Sequence, residues 1–324
     1  MHLEKFLLIL VSILACNTLT LKSLDDEWTL WKSDHERRYS SPKEEDVRRK
    51  IWEANWQKVT EHNKLADQGK KSYWMKMNHF ADKTANELKL KSCLRNSTSQ
   101  ERNFKSYQGK KYQTGPPNVD WRDEKCVTAV KDQGLCGSCW AFATVGTIES
   151  RFCIKYGPLV ELSEQQLVDC DYYNGGCCGG YPSSALEYII DHGLMKSSKY
   201  KYKGYNSECR FKYRQALQVN ASKFYDFRGE DNIASALAHD GPLSITFAVD
   251  VDFFFYDKGI FDGDCAPYSN HAMLAVGYGA MDYEEYWIVK NSWGHYWGEN
   301  GYVKIKRNVN LCNIGDWASA ADLV

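Results

Sequence analysis

The chain has 324 residues, 43% hydrophobic and 26% charged, the balance of an ordinary globular protein with room for about two units. A net charge of −1 hides a split, and acidic residues interspersed through the basic half argue against its binding nucleic acid. Of 41 Lys and Arg and 42 Asp and Glu, residues 116–324 hold 19 and 27, leaving 22 and 15 for residues 1–115. A leader of +7 joined to a remainder of −8 is expected to dock onto it.

Lys5 precedes a short apolar run over residues 6–16, which reads as a secretory signal within residues 1–20, cleaved between Cys16 and Thr20. The run is too short to cross a bilayer, and no later segment approaches about 20 apolar residues, so no membrane span is expected. Secretion permits disulfides, which 12 cysteines make expected. Asn96-Ser-Thr and Asn220-Ala-Ser supply two N-glycan acceptors, Asn96 and Asn220.

Residues 25–90 are polar and rich in helix formers. Glu44, Arg48, Trp52, Asn55, Val59 and Asn63 recur every three or four positions, along one helical face. Residues 91–115 carry little periodicity and read as a linker, and Pro116-Pro117 marks a change of composition. The expected division is signal 1–20, N-terminal unit 21–115 and main unit 116–324.

The main unit opens with a cysteine-bearing turn, Gln133-Gly-Leu-Cys136-Gly-Ser-Cys139-Trp140, and then a helical run over residues 139–154. Ser163 with Gln166 three residues on is a capping box, and residues 183–192 form a third helix, stopped by Gly193. Beyond Asn206 the pattern turns to strands: 243–249, 272–277, 286–290 and 301–305 are β-branched or aromatic runs between Gly, Asn and Asp. Helices first and strands later predict an α+β fold with two lobes. Cys139 then lies in the helical lobe and His271 and Asn291 at strand edges, meeting across a cleft.

A thiol at a helix N-terminus is favoured as thiolate, the nucleophilic form. A histidine beside it completes a thiolate–imidazolium pair able to attack a carbonyl and protonate a leaving amine. Asn291, accepting from the far ring N–H, would orient His271. Gln133 and the Cys139 backbone N–H would form an oxyanion hole. Trp293 would shield the His271–Asn291 bond from water. A zinc site is the rival reading of the Cys136/Cys139 pair, but there is no second Cys/His pair at finger spacing, so neither a metal nor a cofactor is expected.

These strings carry a resemblance. Residues 116–324 resemble the mature domain of papain-family cysteine peptidases of the cathepsin L and F kind, through Val119-Asp-Trp-Arg122, Cys136-Gly-Ser-Cys-Trp-Ala141, Leu162-Ser-Glu-Gln165, Leu167-Val-Asp-Cys170, Gly179-Gly-Tyr-Pro182, Asn270-His271 and Asn291-Ser-Trp-Gly294. The helical face Glu44 to Asn63 is similar to the ERFNIN pattern of that family's inhibitory propeptide, with Trp for Phe and Val for Ile. Lys76-Met-Asn78-His-Phe80-Ala-Asp82 resembles its GxNxFxD motif, with Lys for the first Gly.

The resemblance implies a papain-like two-lobed fold, a helical lobe plus an antiparallel β-barrel-like lobe, behind a helical propeptide that lies backwards through the cleft. Its further implications are a zymogen of a secreted or lysosomal endopeptidase, peptide substrates, cystatin-like inhibitors and a monomer. Loss of carboxylate charge near pH 4–5 would loosen the charge-paired propeptide. It implies disulfides Cys136–Cys177, Cys170–Cys209 and Cys265–Cys312. Cys126, Cys153 and Cys178 depart from the family pattern; the first two could pair, and Cys178 could remain a free thiol. Substrate-binding residues carried over are Gly180, Tyr181, Pro182, Thr246, Asn270, Ala272, Trp297 and Trp317. Gly180 would dock the substrate backbone. Trp317, at a position more often small or acidic, would shorten the second subsite and favour Val, Pro or Leu in the substrate residue held there, unless its ring packs outward. No His-His insertion lies between Cys177 and Cys209 to block the primed side, which favours an endopeptidase. The alternatives are a catalytically silent binding relative and a propeptide-type inhibitor.

Overall fold

The computed structural model describes residues 24–89, Leu94, 115–219 and 221–323. The signal run, Asn96 and Asn220 lie outside the described residues.

The N-terminal unit is built on α1 (residues 24–34) and α2 (Pro42–Ala66), followed by β1 (Tyr73–Met75) and α3 (Ala85–Lys89). Ser41 caps α2 by accepting from the Glu44 N–H at 3.2 Å, and Pro42 occupies the first turn, where its missing donor costs nothing. The six periodic residues are knit by different forces. Arg48 reaches Glu87 of α3 at 2.8 Å, and Asn55 donates to the carbonyls of Ala81 and Lys83. Asn63 both donates to the Met75 carbonyl and accepts from its N–H, each at 2.8 Å. Trp52 is buried edge-on against Trp28, with ring centroids 5.4 Å apart. A polar stripe therefore holds β1 and α3 through hydrogen bonds, with one aromatic cluster as its core.

The main unit adds, in chain order, β2 (Val119–Asp120), α4 (Cys139–Tyr156), α5 (Glu164–Cys170), α6 (Pro182–His192), β3 (Leu194–Met195), β4 (Ala216–Leu217), β5 (Ala221–Phe227), α7 (Glu230–Asp240), β6 (Leu243–Phe247), β7 (Tyr256–Phe261), β8 (His271–Met281), β9 (Glu284–Lys290), β10 (Tyr302–Lys306) and β11 (Ala318–Leu323). The large sheet runs β1-β7-β10-β9-β8-β6-β11-β5, with β2 alongside β8; its ladders are antiparallel except for β7–β10. One core joins this sheet to the aromatic cluster of the N-terminal unit, and a second lies among α4, α5 and α6. The fold is α+β with helical and sheet lobes. Disulfides link Cys126–Cys153, Cys136–Cys177, Cys170–Cys209 and Cys265–Cys312, while Cys178 is exposed and unpaired.

The N-terminal unit docks chiefly by completing the sheet. β1 pairs antiparallel with the edge strand β7, Tyr73 opposite Gly259. Gly259 is required there: its φ is 92°, and a Cβ would come within 2.4 Å of the Ser72 carbonyl oxygen. Asn78 donates to the Phe254 carbonyl at 2.8 Å, and Ser72 Oγ to Asp262 at 2.5 Å. Of the opposite charges in the two units, Lys58 and Asp252 meet as an ion pair. Backbone pairing and aromatic packing do more of the docking than the charge split alone predicts.

His62 sits at this junction, with Nε2 3.0 Å from the Tyr73 carbonyl and its ring 4.4 Å from the Tyr73 ring. Burial lowers its pKa; the Tyr73 carbonyl and Asp252 act upward, and Lys71 and Lys58 downward. A folded value below the ordinary 6.5 means the packed state prefers neutral imidazole, so its contribution is lost as pH falls below about 6.5. Thermal melts of the full chain between pH 7.5 and 4.5 should show His62→Gln losing less stability on acidification than wild type. Parallel losses would exclude His62 as a proton-sensitive contact.

Candidate active site

Cys139 is the first residue of α4 and belongs to none of the disulfides. The preceding Ser138 does not cap the helix with its side chain; its hydroxyl pairs with the Tyr202 hydroxyl at 2.7 Å instead. The thiol thus meets the positive end of an 18-residue helix without a competing side-chain acceptor.

Helix α4 lies against β8. Gly146 makes this close approach possible, since a Cβ there would sit 2.9 Å from a Leu274 methyl. Cys139 and Ala143 share an apolar cluster with Ala272, which adjoins His271, the first residue of β8. His271 is wholly buried, and its Nε2 lies 2.9 Å from Asn291 Oδ1, an oxygen that also accepts from the Ser292 N–H at 2.8 Å. The Trp293 ring lies 4.7 Å from the imidazole and is itself fully buried. Water is thereby kept from the His271–Asn291 bond, which strengthens it.

Gln133 joins the lobes. Its backbone N–H donates to the Ser292 carbonyl at 2.9 Å, its side-chain oxygen accepts from Ser292 Oγ at 2.6 Å, and its Nε2 donates to the Cys136 carbonyl at 2.8 Å. The carboxamide is consequently fixed beside the start of α4. Ser292 was not singled out in the sequence, although its place directly after Asn291 was the available signal. Close by, Lys290 Nζ donates to the Thr128 carbonyl at 2.7 Å, and Lys131 joins Glu149 to Glu164. Burial lowers the Lys290 pKa to about 8, with Glu149 opposing it and Lys131 adding to it.

The other expected residues fall into two groups. Gly180, Asn270 and Ala272 surround Leu94, a residue of the presumed linker: Leu94 donates to the Asn270 carbonyl at 3.0 Å, forms a parallel bridge with Gly180 and packs on the cluster of Cys139 and Ala272. Tyr181, Thr246 and Trp317 line a neighbouring cleft of about 1180 Å³, and Pro182 opens α6 beside it. Trp317 packs edge-on against Tyr181 at 5.7 Å, with the Arg228 guanidinium 4.8 Å over its ring. Trp297 is a correction. It is wholly buried among Phe253, Tyr256 and Trp293 and donates to the Phe253 carbonyl at 3.1 Å, so it supports Trp293 and does not line the cleft. Nothing in the linker's composition marked Leu94.

Comparison with known proteins agrees over nearly the whole chain. The family described as "Papain family cysteine protease" matches residues 115–321, and "Cathepsin propeptide inhibitor domain" matches residues 28–88. Cathepsin S of Bos taurus is 40% identical over 311 residues, covering 93% of each chain. A cathepsin L-like proteinase of Fasciola hepatica is 38% identical over 310 residues, covering 92% of this chain and 94% of that one. Digestive procathepsin L 3 of Tenebrio molitor larval midgut superposes with a TM-score of 0.86 at 37% identity, covering 93% of this chain and 99% of that one.

Gly180 has no room for a side chain: a Cβ would lie 2.6 Å from both Asn174 Oδ1 and Trp140 Cδ2. Gly180→Ala should therefore cost about 1–3 kcal/mol by overpacking, read as a lower urea midpoint. An unchanged midpoint would mean that Trp140 and Asn174 yield freely.

Proposed function

This chain belongs to the papain family of cysteine proteases, with a cathepsin-type propeptide ahead of its protease domain, and on that premise we propose a Cys139–His271–Asn291 endopeptidase made as an inactive precursor. The observation that carries the reading is the placement of Cys139, a buried cysteine outside every disulfide, at the N-terminus of the helix that packs on the His271 strand.

In this mechanism the Cys139 thiolate attacks the peptide carbonyl carbon, and the carbonyl electrons move onto oxygen. The Cys139 N–H and the Gln133 Nε2 hydrogen not given to the Cys136 carbonyl stabilise that oxyanion, each donor being worth about 2.7–4 kcal/mol. Protonated His271 gives its proton to the departing amine as the C–N bond breaks, leaving a thioester. His271 then takes a proton from water, which attacks the thioester and returns free Cys139. Asn291 holds the imidazole plane throughout, with Trp293 excluding water from their bond.

The substrate backbone docks on Gly180 and Asn270. Leu94 occupies these positions in a parallel bridge; a substrate of the opposite polarity would pair antiparallel in the same place, so precursor and substrate exclude each other. Residues 21–115 act as the propeptide and 116–324 as the mature enzyme, with Asn96 and Asn220 as glycan sites. The signal-like start and four disulfides support a secretory route, to the lysosome or outside the cell, where cystatin-like inhibitors would meet a monomeric enzyme.

Acid incubation of the full chain should yield a shortened species that hydrolyses peptides, with turnover at least a thousandfold lower for Cys139→Ser. Comparable turnover by Cys139→Ser would end the proposal. Trp317→Ala should raise kcat/KM about tenfold for peptides with Phe in the second subsite relative to Val, by opening the pocket by more than a methylene or two. An unchanged ratio would remove Trp317 from the pocket wall.

A further inference from the structure

Behind the Trp317 wall the protein buries a carboxylate that the hydrolysis does not use. Asp226 lies in β5 and is only 6% exposed, with both side-chain oxygens shut off from solvent. Strand register puts it there. Asp226 pairs with Ser319 of β11, two residues past Trp317, and side chains two apart on a strand share a face. The Trp317 indole N–H faces the carboxylate as a hydrogen-bond donor.

The charged and titratable groups around this pair come from three directions. Arg228 follows in the chain and covers the Trp317 ring; Glu187 and Tyr181 come from α6 and its N-terminal flank; Asp316 precedes Trp317. Burial pushes the Asp226 pKa up to about 7, against the downward pull of the Trp317 N–H and Arg228, with Glu187 adding a small upward push. The carboxyl is therefore mostly neutral at pH 5 and becomes mostly charged only as the pH rises past 7.

We infer that Asp226 is a positioning residue for Trp317, and that through it the length of the second subsite follows pH. Ionised Asp226 accepts a charge-assisted hydrogen bond from the indole N–H and holds the ring across the end of the pocket. Neutral Asp226 leaves the ring to its packing on Tyr181 and Arg228, and the wall yields to a larger substrate side chain. The inference rests on Trp317 being that wall.

The experiment uses the full chain, activated by acid, and two peptides that differ only in Val or Phe at the residue held in the second subsite. The Val/Phe ratio of kcat/KM should be about fivefold higher at pH 7.5 than at pH 5 in wild type, the usual gap between a charge-assisted and a neutral hydrogen bond. Asp226→Asn should give a ratio that does not vary with pH, with kcat for the Val peptide unchanged. A pH-independent ratio in wild type, or a pH dependence surviving in Asp226→Asn, overturns the inference. Trp317→Ala separates the two levels: if it leaves the Val/Phe ratio unchanged, the wall assignment itself has failed. Should Asp226→Asn not fold, the indole N–H resonance of Trp317 in the full-length Cys139→Ser chain decides. A shift with a midpoint near 7 supports the inference, and a resonance static from pH 5 to 8.5 overturns it.

Discussion

The positive end of one helix must be held against the edge of a sheet drawn from a distant part of the chain, and the rest of the structure serves that meeting. α4 presents Cys139, while β8 and the segment after β9 present His271 and Asn291. In the proposed mechanism neither lobe carries the chemistry alone, so rigidity between them decides whether the site works. Three links hold them in register. Gln133 is hydrogen-bonded to Ser292 through backbone and side chain, Lys290 reaches the Thr128 carbonyl, and buried Arg151 of α4 donates to the carbonyls of Pro242 and Gly241 ahead of β6. Each saturates polar groups that would otherwise be costly to bury, so sliding one lobe over the other would leave several unpaired at once.

The propeptide exploits the same framework. Its Phe80 ring packs edge-on against Trp293, the ring that shields His271, at 5.5 Å and against Phe254 at 5.6 Å. Burial of a phenylalanine of this kind contributes about 1.5–3 kcal/mol, independent of pH. Strand pairing through β1 is equally indifferent to pH. Acid therefore acts on a minority of the contacts, the buried imidazole of His62 among them. A docked state supported mostly by neutral contacts stays closed at neutral pH while keeping a few proton-sensitive points at its edge.

Much of this was legible in the sequence because the signals were local. The Ser163 hydroxyl accepts from the Gln166 N–H at 3.0 Å, and Gly193 ends α6 at φ 72°. The strands around His271 and Asn291 declared themselves through β-branched and aromatic residues, and the turn before Cys139 through its cysteines. What stayed hidden depended on partners far away in the chain. β11 is built on Ala-Ser-Ala-Ala, with little strand preference, and extends because β5 and β6 offer edges on both sides. Trp297 was expected in the cleft only through the family resemblance, yet Phe253 and Tyr256 enclose it. Asp226 was one of many carboxylates until the register of β5 against β11 put it under Trp317.

These contacts bear on how the precursor is kept inactive. Trp293 is held by the propeptide's Phe80, but also by Phe254, stacked at 4.5 Å, by Phe253 and by Trp297, all from the protease domain. Asn291 is fixed by the Gly301 carbonyl and the Ser292 N–H, and Gln133 by Ser292 and Cys136; none of these partners leaves with the propeptide. Departure of residues 24–89 and Leu94 thus removes one face of packing from Trp293 and uncovers Gly180 and Asn270, without taking away any of these hydrogen bonds of Asn291 and Gln133. The inhibited arrangement is an assembled site under a cover, and uncovering it requires no rebuilding of the groups that orient His271.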